Sequence, residues 1–150
     1  MWLKLVFLFD HIRARLTTYI LPLILLIMRL WMAKIFWLAG LIKLSNWQTT
    51  LSLFEYEYKI PIISPTLAAY MAAATELTCP ILLTLGFATR FACLPMLMMA
   101  ITIQLTYLNM VDHIYWMMLL SMLITLGAGP LSLDYLINKK LNGPLIRNGK

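Results

Sequence analysis

Four apolar stretches, at about residues 20–41, 64–85, 90–108 and 113–128, decide what this chain can fold into. Inside hydrocarbon every backbone N–H and C=O needs a protein partner, so segments of this kind cross a membrane as helices. The first runs from Ile20 to Leu41, and at 1.5 Å per residue it covers roughly 33 Å, enough for the bilayer core. The fourth is the shortest. Composition agrees: the chain is 62% hydrophobic and 12% charged, whereas soluble domains run nearer half apolar and a quarter charged. The expected fold class is all-α, an integral membrane four-helix transmembrane bundle forming one domain over residues 1–150, without an internal repeat or linker.

The flanking segments read differently. Residues 1–19 set Trp2, Leu5, Phe9, Ile12 and Leu16 among Lys4, Arg13 and Arg15, the pattern of an amphipathic helix on a membrane surface. No small-residue cleavage site follows the short apolar run Leu5–Phe9, which argues against a cleaved signal peptide. Between the first two spans, Trp47, Leu51, Phe54 and Tyr58 share one helical face of a segment too short to cross. It reads as an interfacial helix ended by Pro61. Ser64-Pro65 opens the second span as an N-cap and first-turn proline. Turns follow at Gly86–Thr89 and Asn109–Asp112; Gly127, Gly129 and Pro130 close the fourth span. Ser132–Leu141 reads as a short surface helix before a basic tail.

Four crossings put both termini on one side, with Lys4, Arg13, Arg15, Arg90, Lys139, Lys140, Arg147 and Lys150. The other side carries Lys43 and Lys59 beside Glu55, Glu57 and Asp112. The positive-inside rule then places both termini in the cytoplasm. The net charge of +6 suits anionic lipid headgroups. No basic helix or aromatic-interleaved patch points to nucleic acid. The partner implied is the lipid bilayer, and an oligomer is compatible with it.

Arg29 and Glu76 lie well inside two of the spans. An ionisable group at bilayer depth costs roughly 2.5–3.5 kcal/mol on insertion scales and normally faces a partner in the bundle interior. Each stands nine residues from the cytoplasmic end of its span, or about 13–14 Å, so antiparallel neighbours would bring them level as a hydrogen-bonded pair. Ala69, Ala72 and Ala73 beside Glu76, and Gly40 on the stripe of Arg29, Phe36 and Lys43, permit close helix contact. Pro80 withdraws the N–H that would bond the Glu76 carbonyl, and Pro95 does the same to Phe91. Two readings stand: an ion pair that fixes helix register, or a proton, ion or ligand site built on Glu76. Lys34 and Gln104, counted at similar depth, and His113 beside Asp112 and Trp116 would form a vestibule above that pair if they face inward. Otherwise Lys34 snorkels and His113 caps its helix.

Cys79 and Cys93 fit no CxxC or zinc spacing and read as buried thiols, with a redox pair as the alternative. Met96, Met98, Met99, Met117, Met118 and Met122 read as apolar filler, with no metal site assigned. No nucleophile–base–orienter set, Walker A loop or dinucleotide loop is visible. Catalytic residues therefore stay unknown, and catalysis by the chain alone is unsupported.

Taken in order, Arg29, FWLAGLIKL (Phe36–Leu44), Glu76, LGFATR (Leu85–Arg90) and GAGPLSLD (Gly127–Asp134) resemble the DoxX family of small four-helix bacterial membrane proteins. NWQTTLSLFEYEYKIP (Asn46–Pro61) and HIYW (His113–Trp116) resemble the branch encoded beside proteins that mature copper-binding modified peptides. The motif positions are Arg29, Gly40, Lys43, Glu76, Gly86, Arg90 and Asp134. The resemblance implies a bacterial inner-membrane accessory protein of a redox, metal-stress or peptide-maturation system, with membrane or cytoplasmic protein partners. The alternative is a small proton-coupled transporter or quinone-binding redox subunit that uses Glu76. Quinone and copper are the candidate cofactors, without a ligand motif for either. From their positions at the cytoplasmic boundary, Arg90 and Asp134 are expected to pair and tie the C-terminal helix to the bundle.

Overall fold

From Trp2 to Ser45 the chain is helical with a single change of winding. The computed structural model describes residues 2–58, 63–106 and 111–147. It joins α1 (Trp2–Arg15), a π-helical turn (Leu16–Ile20) and α2 (Leu21–Ser45) end to end. Pro22 stands in the first turn of α2. It cannot donate to the carbonyl four residues back, and the turn before it loosens from α to π winding.

At Asn46 (φ −131°, ψ 61°) α2 breaks into α3 (Trp47–Ser52), which continues as a π-helical segment, Leu53–Tyr58. α4 (Pro65–Leu85) starts at Ser64, whose Oγ accepts a hydrogen bond from the Leu67 N–H at 3.4 Å. Then come α5 (Thr89–Thr106), α6 (Val111–Leu126) and α7 (Leu133–Arg147). Among the described residues there is no strand. The helices over Val6–Ser45, Pro65–Leu85 and Thr89–Thr106 are long and apolar enough to cross a membrane, while α6 is apolar but shorter. Pro61, Lys59, Asn109, Lys150 and the end of the third span near Leu108 lie outside the described residues, as do the side chains of Lys4 and Arg147.

α2 runs antiparallel to α4, with Gly40 against Glu76 and Leu77 at one level and Arg29 beside Gly86 at another. α5 packs on α4 and α6, and α6 closes back onto α2. Leu25, Met32, Phe36, Leu83, Cys93 and Leu123 belong to the resulting core, and the Phe36 and Trp116 rings meet at 5.9 Å. Small residues set these approaches: buried Ala68, Ala69 and Ala72 let Phe54 of the π-helical segment settle on α4. The outward face is apolar, with Trp31, Phe91, Met98 and Met118 among its exposed side chains. Its partner is lipid, and this is a membrane protein.

Candidate functional site

Glu76 is 3% exposed and is paired with Lys43, whose Nζ donates to Oε1 at 2.6 Å. Local geometry explains the pairing. Gly40 has no side chain, so α4 comes close enough that an added Cβ there would stand 3.0 Å from the Glu76 Cβ. Lys43 sits one turn further along the same stripe. Helical side chains lean toward their own N-terminus, and in antiparallel helices Lys43 and Glu76 therefore lean toward each other.

The expected Arg29–Glu76 pair does not form. Arg29 lies eleven residues before Gly40, about 16 Å down the helix, and it leans away from Glu76. Its Nη2 donates instead to the Leu131 carbonyl at 2.5 Å. Depth counted from the ends of the apolar stretches gave the wrong register. α2 begins well beyond the end of α4, and glycines, not apolar length, set the level of contact.

Arg29 belongs to a second cluster, at the bundle end that carries the α4–α5 turn. Only 1% exposed, it fills the space beside Gly86, where a Cβ would collide with its guanidinium and with Ser132. Gly86 (φ 66°) ends α4 in the left-handed conformation, and the N–H of Phe87 bonds the Leu82 carbonyl at 3.0 Å. Ser132 caps α7 by accepting from Tyr135 N–H at 3.2 Å. Asp134 caps α5 from outside: its carboxylate accepts from Ala88 N–H at 2.8 Å and Thr89 N–H at 3.1 Å. Asp134 N–H in turn donates to the Gly86 carbonyl at 3.0 Å. The expected Arg90–Asp134 pair is therefore replaced by backbone capping, which the unpaired N–H groups of a helix start attract. Arg90 donates to the Thr125 carbonyl at 3.3 Å. Asp134→Ala should cost about 1–2 kcal/mol, as loss of a capping carboxylate does, while Asp134→Asn keeps part of it. Thermal unfolding in detergent checks this; equal losses for Asn and Ala would contradict it.

Two spaces adjoin the Lys43–Glu76 pair. One is an apolar cleft of about 420 Å³ between α4 and α5, with Lys43, Phe54, Ala72, Thr75, Met98 and Thr102 in its walls. Exposed Met71 and Met98 stand at its rim. The other is a small cavity of about 30 Å³ bounded by Glu76, His113, Phe36, Met99, Ala100 and Trp116. His113 is buried and meets the Trp116 ring edge-on at 4.7 Å.

The expected vestibule is thus redrawn. His113 faces inward and shares a cavity with Glu76. Lys34 is exposed, in a groove with Trp37, Pro80 and Thr84 toward the Arg29 end, so it is not level with Gln104. Gln104 is half-buried on α5, next to the cavity residue Ile103. Cys79 and Cys93 are buried free thiols of the core. The methionines diverge, Met96 into the core and Met98, Met118 and Met122 outward. Among the described residues no group of three His, Cys, Asp or Glu could hold a metal ion. The Leu131 carbonyl and Ser132 carry no sequence signal of their roles. Lys43 carried one, its i, i+3 spacing from Gly40.

A family model described as DoxX matches residues 24–108. No curated protein and no solved structure matches the chain.

Proposed function

The chain belongs to the DoxX family, and from that premise we propose that it is an inner-membrane component of a redox system that holds a quinone-class molecule in the cleft between α4 and α5. One observation carries this reading: an apolar cleft of about 420 Å³ has one cation, Lys43, among its described wall residues, and that cation is anchored by a buried carboxylate. The volume falls in the usual range for small-molecule sites, which are mostly apolar with a few placed polar groups. An ammonium has three donors. Lys43 gives one to Glu76 and keeps others for a quinone carbonyl, while an isoprenoid tail would leave past Met71 and Met98 into lipid.

In this reading Lys43 positions the headgroup and Glu76 fixes Lys43, so the accessory and quinone-binding roles are one. Protein partners of the same system would supply or accept the electrons. A metal-stress or peptide-maturation role finds no support in the site's geometry. The basic residues Arg90, Lys139 and Lys140 share the Arg29 end, which supports a cytoplasmic location for that end and for both termini.

The test is binding of a short-tailed quinone to the full chain in lipid nanodiscs, followed by tryptophan and tyrosine fluorescence. Saturable binding is expected, and Thr102→Phe, which fills the cleft without touching the ion pair, should weaken it by about tenfold or more, at 1.4 kcal/mol per decade. Equal binding by Thr102→Phe and wild type, or no binding by wild type, would exclude the cleft as a quinone site.

A further inference from the structure

The 30 Å³ cavity behind the ion pair has an unusual lining for its size. Most of its wall is apolar, yet two titratable side chains reach it from different helices, Glu76 from α4 and His113 from α6. Both are more than nine-tenths buried. The Oε2 of Glu76 and the Nδ1 of His113 have no hydrogen-bond partner among the described residues. Buried polar atoms are almost always satisfied, and ordered water is the usual partner when protein is not. The cavity is large enough: a water needs roughly 10–15 Å³ on this measure.

We propose that this cavity is a hydrated proton-transfer site, in which one or two waters bridge Glu76 Oε2 and His113 Nδ1 and connect the Lys43–Glu76 pair to the His113 end of the bundle. The proposal deepens the cleft reading and rests on it for the origin of the proton. The step itself is a neutral-to-charged exchange between the two residues. The O–H bond of a protonated Glu76 breaks as its proton passes to the water. That water releases one of its own protons to Nδ1, where an N–H bond forms, and the water is restored. Glu76 is left as a carboxylate against Lys43, and His113 becomes an imidazolium with Asp112 as its sequence neighbour.

Among the described residues no other charged side chain lines the cavity. The α2 and α5 residues that line the cavity, Phe36, Met99 and Ala100 among them, are apolar, and Lys43 reaches Glu76 through the other carboxylate oxygen. In the proposed arrangement Oε1 accepts from Lys43, and Oε2, which has no partner among the described residues, is the oxygen that meets the water.

Infrared difference spectroscopy of the full chain in nanodiscs, stepping the pH in ordinary and in oxygen-18 water, tests this without any quinone. The expected result is a water O–H band that moves in oxygen-18 water and accompanies the protonation change of a buried carboxyl. The band should vanish in Glu76→Gln, in His113→Phe and in Ala100→Val. The last fills the cavity while both titratable groups remain, and an unchanged thermal unfolding midpoint for Ala100→Val shows that it is folded. No isotope-sensitive water band in wild type would overturn the proposal, and so would a band that survives in all three variants. If quinone binding fails while the band behaves as expected, the cleft reading falls and the hydrated site stands.

Discussion

Lys43→Met should destabilise the bundle by about 3–5 kcal/mol, the usual consequence of leaving one member of a buried ion pair without its partner. Lys43 is largely enclosed and Glu76 almost wholly so, so bulk solvent cannot replace the lost ammonium. The second substitution distinguishes charge from packing. Glu76→Gln in the Lys43→Met background removes the stranded carboxylate and should recover most of the loss. Reversible unfolding in mixed micelles, with helix content as the probe, reads both. An undiminished loss in the double variant would mean that Lys43 acts through its methylene stem and not through Glu76.

Gly86→Ala is expected to cost about 2–5 kcal/mol, from roughly 1–2 for a Cβ in left-handed backbone and 1–3 for overpacking. Gly86 has φ 66°, and the new Cβ would meet the guanidinium of Arg29 and the Cβ of Ser132 at 2.6 Å. Arg29 cannot easily retreat, because it is buried and bonded to the Leu131 carbonyl. Gly127→Ala is the matched control. Its φ of 79° carries the same backbone strain, but its Cβ would find only the Arg90 guanidinium, at 3.4 Å. The control should therefore lose only the backbone part. Equal losses at the two glycines, measured by thermal unfolding in the same detergent, would remove Arg29 as the reason Gly86 is needed.

The helices were legible because each signal is local. Apolar length marks α2, α4 and α5, Ser64-Pro65 marks the start of α4, and Gly86 marks its end. That Glu76 is buried was legible too, since a carboxylate inside such a stretch has no other inexpensive place. Its partner was misread because pairing depends on register, which is a relation between helices. Gly40 and Gly86 set that register through close approach, and only their contacts reveal which residues they bring level. The inward turn of His113 had no local signature, because α6 is apolar on nearly every side and offers no polar face to orient it. Asp134 looked like half of an ion pair. Its real partners, the N–H groups of Ala88 and Thr89, are backbone atoms that a residue-by-residue reading of charge passes over.

The pairing of Glu76 with Lys43 across Gly40 underlies both the cleft and the hydrated cavity, and a distance measurement in lipid tests it directly. Solid-state dipolar recoupling between labelled lysine Nζ or arginine Nη and the Glu76 carboxyl carbon, assigned by Lys43→Arg and Arg29→Lys variants, reads which cation is adjacent. The predicted result is strong coupling from Lys43, consistent with the 2.6 Å Nζ–Oε1 contact, and none from Arg29. Coupling from Arg29, or none from Lys43, would contradict it.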